Sequence, residues 1–280
     1  MKKDDNFIML PTVDFCFAGL MENPKVRKGF VAAIIKVPPE KIKETTLLPT
    51  ILRRESKDDK LGILDVRVVL VDGTQLDIEM QVAYFAYWDK RVLFYLSRIY
   101  AGQIKKGESY ENLKKCIHVS ILDFIHFPDE ECYRTIHFCD DRTGKRYTDL
   151  MEIQILELKK LPEEVKSGGG ILAWMKFFSR KTKKEFEDMA KTNEYMEEAY
   201  STLLELSADD IKRLEYEARE KALRDYNSQM SSSFQMGVKQ GIETSRKVFQ
   251  LHVKGKSPEE IAEICGMGEE EVKEILFDNN

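Results

Sequence analysis

The segment LDVRVVLVDGTQLDIEMQ, residues 64–81, constrains the fold more than any other part of the chain. Two apolar-rich runs of strand length flank an Asp-Gly pair, and this pattern is typical of a β-hairpin. Both runs also carry charged residues. Because successive side chains of a strand point to opposite faces, the register of pairing decides which residues share a face.

Two registers can be compared by the pairs that they create. A two-residue loop at Asp72-Gly73 places Asp65 opposite Met80, Val66 opposite Glu79 and Arg67 opposite Ile78, so that each of these pairs joins a polar residue to an apolar one. A three-residue loop, with Gly73 in the left-handed conformation of a G1 bulge, separates the two kinds of residue. It creates an apolar face from the pairs Leu64 with Met80, Val66 with Ile78, and Val68 with Leu76. The sequence therefore predicts the three-residue loop.

The second face of this hairpin carries the charged residues. Asp65 lies opposite Glu79, and Arg67 lies opposite Asp77. Like charges that face each other directly destabilise a sheet, so a divalent cation such as Mg²⁺ between Asp65 and Glu79 would remove the conflict. Such an ion can activate water and stabilise charge on a phosphate. The alternative is a polar face of an edge hairpin exposed to water, which is common in antiparallel sheets.

The flanking sequence predicts an α/β or α+β layer domain. A helical pattern covers residues 15–36, a short strand covers 45–52, and a long helix follows the hairpin and ends near Gly107. Three further strands are predicted at CIHVSILDF, YRTIHF and MEIQILEL. The first of these is almost continuously apolar, which is typical of a strand covered on both faces.

The sequence beyond the glycine run SGGG is almost entirely helix-forming. We therefore predict a first domain over 1–160 and an α-helical region over 167–280, joined near Ser167. Gly237 and Gly241 lie one helical turn apart and permit a close helix contact, so this region is a candidate for homo-oligomer formation. Residues 257–277 predict two short helices with a helix-turn-helix-like shape. The second begins with three glutamates, which would repel DNA phosphates and favour a packing or partner-binding role.

Composition excludes several classes of protein. A net charge of −5 gives no general attraction to nucleic acid, so DNA contacts would need a local basic patch. The absence of an apolar run of about 20 residues predicts no membrane span, and the N-terminus lacks the apolar core of a secretion signal. Five scattered cysteines without a C-x-x-C pair predict free thiols in a reducing cytoplasm. A zinc site at Cys132, His137 and Cys139 is a weaker alternative, because no second ligand pair has suitable spacing.

Several longer stretches of sequence carry a family resemblance. An acid at the end of one strand, followed by Glu-x-Lys on its hairpin partner, is the signature of PD-(D/E)XK nucleases, and here it stands as Asp65 followed by Glu79-Met80-Gln81. The surrounding stretches DKLGILDVRV, WDKRVLFYLSRIYAGQIKKGESYENLKKCIHVSILDF and LELKKLP, together with DFCF near the start, are more specific. The chain resembles the PD-(D/E)XK nuclease family transposases, also called the recombination-promoting nuclease family, over most of its length.

The resemblance implies a restriction-endonuclease-like αβββαβ core and Mg²⁺-dependent (or Mn²⁺-dependent) cleavage of DNA in recombination or transposition. It implies that Asp65 and Glu79 are metal ligands, with the Met80 backbone carbonyl as a third. Gln81 would take part in catalysis from the position where the family usually has lysine. Asp14 matches an N-terminal D-x-x-F-K pattern in which Ala18 replaces the lysine.

Both expected lysines are therefore replaced. Arg91 and Lys60 are the candidates for binding substrate phosphates in their place, with Lys57 and Lys90 as further sources of charge. These departures leave two rival functions open. One is a catalytically weak relative that binds DNA or protein, and the other is a scaffold that assembles through its helical region.

Overall fold

A six-stranded sheet organises the first of two compact units, Met1–Glu220; the second is Lys221–Asn280. The computed structural model describes residues 6–51, 64–84, 86–163 and 170–277. The strands of the sheet are β1 (Thr45–Leu47), β2 (Val66–Leu70), β3 (Gln75–Gln81), β4 (Cys116–Leu122), β5 (Tyr133–Ile136) and β6 (Met151–Glu157).

The spatial order of the strands is β1-β2-β3-β4-β6-β5. The central strands β3, β4 and β6 run parallel, whereas β1, β2 and β5 pair antiparallel with their neighbours. The three parallel strands therefore end at one common edge of the sheet. This mixed sheet, together with its helices, confirms the predicted α/β class.

The hairpin between β2 and β3 has the predicted register. Val66 pairs with Ile78 and Arg67 pairs with Asp77. The Leu70 N–H donates to the Thr74 carbonyl at 2.9 Å, and Gly73 adopts φ 86°. A Cβ atom at Gly73 would lie 2.7 Å from Lys114 Cγ, so the close approach of this lysine also favours glycine.

Nine helices lie in the described parts of the chain. They are α1 (Asp14–Glu22), α2 (Pro24–Ile35), α3 (Trp88–Ala101), α4 (Ile171–Phe178), α5 (Lys183–Ala190), α6 (Glu194–Ala208), α7 (Asp210–Val253), α8 (Pro258–Cys265) and α9 (Glu269–Phe277). The single helix predicted over 15–36 is divided in two, because Asn23 caps the N-terminus of α2 through its side chain and Pro24 occupies the first helical position. Helix α3 ends at Ala101, before the predicted end at Gly107.

The core of the first unit lies on both sides of the sheet. Every residue of β4 is buried, as predicted for a strand covered on two faces. Ile117 and Val119 belong to the main apolar cluster, whereas Cys116 packs with residues of α3. Leu64 departs from the predicted apolar face: it lies before β2 and packs with the α3 cluster rather than with Met80.

Helices α4 to α6 belong to the same compact unit as the sheet. Phe178 packs edge-on against both Phe17 and Phe30 at ring distances of 5.6 and 5.1 Å. The predicted junction near Ser167 lies outside the described residues. The unit that contains the sheet continues beyond it to Glu220, because aromatic residues after the junction complete its core.

The second unit contains the predicted pair of short helices. Ser257 and Glu260 form the capping box of α8, and Gly266 ends the helix in the left-handed conformation. Val248, Ile261 and Val272 form a small apolar core between α7, α8 and α9. Across the residues that the structure describes, no helix has the length and apolar character that a membrane span requires.

Candidate active site

The carboxylate of Asp65 lies beside the peptide that follows Glu79. Asp65 directly precedes β2, and its Oδ2 atom accepts a hydrogen bond from the Met80 N–H at 2.9 Å. The register of the hairpin brings the two acidic residues to neighbouring positions, because Val66 pairs with Ile78. The structure therefore brings together the two residues that the hairpin pattern selected.

The charged face of the hairpin is buried at its centre and partly exposed at Asp65, Arg67 and Gln81. Glu79 is 1% exposed and Asp77 is fully buried, because helix α3 packs across this face of the sheet. The alternative of a polar face exposed to water is therefore wrong. Burial of acidic groups is unfavourable unless they find cations or hydrogen-bond donors, so the partners of each carboxylate determine what this face can do.

The carboxylate of Glu79 has few partners. Its Oε2 atom lies 3.3 Å from Arg91 Nη2 and accepts a long hydrogen bond from Gln81 Nε2 at 3.4 Å. Its Oε1 atom is buried and, among the described residues, has no hydrogen-bond partner. Burial, together with the nearby charge of Asp77, raises the pKa of Glu79 to about 7.

Asp65 is also harder to ionise than an exposed aspartate. Burial raises its pKa to about 6, although the hydrogen bond from the Met80 N–H opposes the shift. Both carboxyl groups therefore favour a proton at neutral pH more than free carboxyl groups do. A cation bound beside them would favour their ionised forms.

Asp77, which the hairpin register places opposite Arg67, has its side-chain partner on β4. His118 Nδ1 lies 2.7 Å from Asp77 Oδ2, and His118 Nε2 lies 2.7 Å from Ser120 Oγ. Burial opposes charging of the His118 ring, but the Asp77 carboxylate raises the pKa of His118 above its usual value. The guanidinium of Arg67 instead donates to Gln75 Oε1 at 2.7 Å.

Sequence reasoning missed the Asp77–His118–Ser120 network. The register of the parallel strands places His118 beside Asp77 and Ser120 beside Glu79. The available signal was the pair of polar residues at alternate positions within CIHVSILDF, which was interpreted as an apolar strand. The network forms a polar layer next to the two carboxylates.

Asp14 lies near this site but has its own ion pair. It is in the first turn of α1, and its Oδ2 atom lies 2.6 Å from Arg219 Nη1. Its negative charge contributes to the raised pKa of Asp65. Arg219 was not predicted, because it is separated from Asp14 by most of the chain.

The residues predicted to supply positive charge differ in their positions relative to the site. Arg91 lies on the site through its contact with Glu79, and its guanidinium lies 5.2 Å from the Tyr95 ring. The Lys90 ammonium lies 5.4 Å from the Tyr87 ring. Lys57 and Lys60 lie outside the described residues. Ala18, at the second expected lysine position, is partly buried and packs against the main core.

The donor set of the site fits a hard divalent cation. Asp65 and Glu79 supply carboxylate oxygens, which Mg²⁺ and Mn²⁺ prefer, and Glu79 Oε1 has no competing donor in the described structure. Asp65 and Glu79 are the two candidate acidic ligands of this site. Over 6–51, 64–84, 86–163 and 170–277, His, Cys, Asp and Glu residues form no group of three or more that could hold a metal ion, and this applies also to the zinc alternative.

A mixed sheet with Asp65 and the buried Glu79 at its β2–β3 hairpin, beneath helix α3, agrees with the restriction-endonuclease-like fold class that the sequence predicts. The family model for PD-(D/E)XK nuclease family transposases matches residues 11–233, and the chain belongs to this family. The match confirms the resemblance drawn from the motif. It also confirms the restriction-endonuclease-like fold that the resemblance implied. No curated protein and no solved structure matches the chain.

Proposed function

We propose that the protein is a metal-dependent DNA endonuclease that hydrolyses phosphodiester bonds in recombination or transposition. The observation that supports this most directly is the pair of Asp65 and Glu79, in which Glu79 is buried and its Oε1 atom has no partner among the described residues. Membership of a nuclease family gives DNA as the substrate class. The raised pKa of both carboxyl groups fits a site that gains stability when a cation binds.

Asp65 and Glu79 would hold Mg²⁺ or Mn²⁺, with the Met80 carbonyl as the proposed third ligand. The bound ion would activate a water molecule and stabilise the charge that develops on the phosphate. Arg91 holds the Glu79 carboxylate and, being partly exposed, can also contact a phosphate oxygen. Gln81 can orient the attacking water by a hydrogen bond, but its neutral amide cannot replace the charge of a lysine.

The second candidate function is a DNA-binding or protein-binding module with little catalysis. Two observations favour it: Gln81 donates to Glu79 from the usual lysine position, and Ala18 packs into the core at the other. Loss of positive charge beside the scissile phosphate would reduce electrostatic stabilisation of the transition state.

Nicking of supercoiled plasmid with Mg²⁺ or Mn²⁺ separates the two functions. We expect the wild-type protein to produce open circles and Asp65→Asn and Glu79→Gln to reduce the rate about 100-fold or more, because each removes a charged ligand. Asp141→Asn and Glu130→Gln are matched controls, since both residues are exposed acids of the same unit.

Activity that persists unchanged in both site variants would contradict the nuclease proposal. DNA binding by the wild-type protein without any nicking would support the module instead. Equal losses in the control variants would show that the effect comes from surface charge and not from the site.

We also propose a cytoplasmic location and self-association through the helical region 167–280. All five cysteines are free thiols, which supports a reducing compartment. Helix α7 exposes large apolar residues, and a Cβ atom at Gly237 or Gly241 would meet nothing within 4 Å in the described structure. Those nearest the two glycines include Met230, Phe234, Met236, Val238 and Ile242. Exposed apolar surface of this kind favours a partner, for which a second copy of the chain is our proposal.

A further inference from the structure

The segments that follow β3 and β4 run side by side just beyond the two carboxylates. The Asp123 N–H donates to the Gln81 carbonyl at 2.8 Å, which joins the ends of the two strands. The rings of Tyr84 and Phe124 then meet edge-to-face, with centroids 5.8 Å apart. We use the name aromatic rim for the three aromatic residues Tyr84, Tyr87 and Phe124 together with the apolar Ile125.

The aromatic rim presents apolar groups to solvent. Tyr84 is 58% exposed, and Tyr87 and Ile125 are exposed to a similar degree. Single exposed aromatic residues are common on protein surfaces, but Tyr84 and Phe124 are in ring contact just beyond the ends of β3 and β4, and β3 carries Glu79. Large exposed rings in such a position can bind the flat faces of a ligand.

The loop after β4 is held rigidly in place. The Glu157 carboxylate accepts from the His126 N–H at 2.6 Å and from the Phe127 N–H at 3.2 Å. The His126 ring lies 4.6 Å from Trp88, and the Arg134 guanidinium lies 3.8 Å from the Phe127 ring. A surface that is ordered before binding loses less conformational entropy when its ligand arrives.

Cations adjoin the rim on both of its segments. Lys90 lies over the Tyr87 ring, and Lys159 lies 3.2 Å from Asp123 at the start of the β4 segment. The neighbouring acids already have partners: Asp123 pairs with Lys159, and Asp89 lies 3.2 Å from His126 Nε2. Aromatic rings interleaved with cations are the usual surface for a single nucleic-acid strand, in which bases stack and phosphates pair with lysine.

We propose that the aromatic rim binds unpaired nucleotides next to the scissile phosphate. DNA with a locally single-stranded segment, such as a fork or a flap, is then a better substrate than a continuous duplex. Bases within a duplex are already stacked on one another, so only unpaired bases offer free faces to Tyr84 and Tyr87. The proposal rests on the proposed nuclease function for its choice of nucleic acid, and it adds the structure of the substrate.

Fluorescence anisotropy of the full chain in EDTA tests the proposal without cleavage. The probes are a labelled forked DNA with single-stranded arms and a fully paired duplex of equal length. We expect the wild-type protein to bind the fork about 10-fold more tightly, and Tyr84→Ala to reduce fork binding about 5- to 10-fold with little effect on the duplex. Tyr87→Ala is the second variant, and Tyr84→Phe retains fork binding because it keeps the ring.

Tyr110→Ala and Tyr147→Ala are the matched controls, since both tyrosines are exposed in the same unit, Tyr110 at 81%. Equal affinity for the two probes, or a loss in Tyr84→Ala no greater than in the controls, would overturn the proposal. Thermal unfolding of each variant identifies any loss caused by misfolding.

The outcome is distinguishable from that of the nicking experiment. A fork preference that depends on Tyr84, in a protein that cleaves nothing, supports the rim and contradicts the nuclease. Cleavage that depends on Asp65, without any fork preference, supports the nuclease and overturns the rim.

Discussion

Glu79 and Glu157 are buried carboxylates of one sheet, and they differ in how far the protein itself satisfies them. Glu157, at the end of β6, accepts from the backbone N–H groups of His126 and Phe127 and from Lys160 Nζ at 2.8 Å. Glu79, on β3, has only the longer contacts with Arg91 and Gln81, and its Oε1 atom has no partner in the described structure.

This difference in hydrogen-bond partners indicates a structural role for the Glu157 carboxylate and a ligand-binding role for the Glu79 carboxylate. Buried polar groups are almost always paired, so an unpaired oxygen in a folded protein requires a specific explanation. Around Glu157 the chain supplies amides and an ammonium group, and the loop after β4 is fixed as a result. Around Glu79 the chain leaves an oxygen free, which fits the proposed metal ion.

The largest expected effect is on stability at Glu157. Glu157→Gln removes the charge that pairs with Lys160, whose side chain is only 4% exposed, and it turns an amide towards backbone N–H groups. We expect the free energy of unfolding to fall by about 3 kcal/mol, measured by urea denaturation.

Glu130→Gln is the control for this prediction, since Glu130 is exposed. It is expected to change the free energy of unfolding by less than about 0.5 kcal/mol. A loss at Glu157 as small as that of the control would show that the carboxylate is not a structural anchor.

Substitution of Asp65 or Glu79, the two candidate metal ligands, is expected to raise the free energy of unfolding when EDTA removes metal ions. The pKa values of about 6 for Asp65 and about 7 for Glu79 lie above those of the same groups in the unfolded chain. At pH values between the unfolded and the folded pKa, the folded state therefore binds more protons than the unfolded state. The stability that these protons contribute is complete below the unfolded pKa and is lost as pH rises through the folded values. Asp65→Asn and Glu79→Gln cannot ionise and so avoid this loss.

Each variant should therefore be more stable than the wild type by roughly 1–3 kcal/mol at pH 8, and the difference should become small near about pH 3.5, below the pKa values of the unfolded carboxyl groups. Urea denaturation at the two pH values measures it. A difference that does not depend on pH would show that ionisation of these groups is not its cause.

The smallest expected effect is the stabilisation of the protein by metal. At Mg²⁺ or Mn²⁺ concentrations a few times the dissociation constant, the free energy of unfolding of the wild type should rise by about 1 kcal/mol at pH 8. The increase should be smaller at pH 6, where protons compete with the ion for the same carboxylates. Differential scanning fluorimetry measures both.

Glu79→Gln should abolish the metal effect, whereas Glu130→Gln should leave it unchanged. An equal increase in all three proteins would indicate that the ion binds elsewhere.

Local sequence predicted the hairpin because its determinants are local. The three-residue turn at Gly73 and the alternation of side chains defined the register, and the acidic pair followed from it. The burial of β4 was likewise readable from its continuous apolar run. Helix α3 was placed correctly, although its end at Ala101 was not.

The partners of the charged groups were not readable in this way. The contact of His118 with Asp77 depends on the parallel pairing of β4 with β3, which no turn specifies. The ion pair between Asp14 and Arg219 joins residues that are 205 positions apart. Whether the charged face was exposed also depended on the packing of α3, which the pattern of the hairpin alone does not determine.

The turn at Gly73 sets which residues of β2 and β3 lie opposite each other. The number of residues between the turn and each acid therefore decides whether the two acids share a face. Since Gly73 closes a three-residue loop, loss of one residue of β3 between this loop and Glu79 would, with the loop retained, exchange the two faces of the rest of β3 relative to β2. Asp65 would then lie opposite Met80 instead of Glu79. A protein built on this hairpin can therefore lose its acidic pair through the deletion of one strand residue, while both acids remain in its sequence.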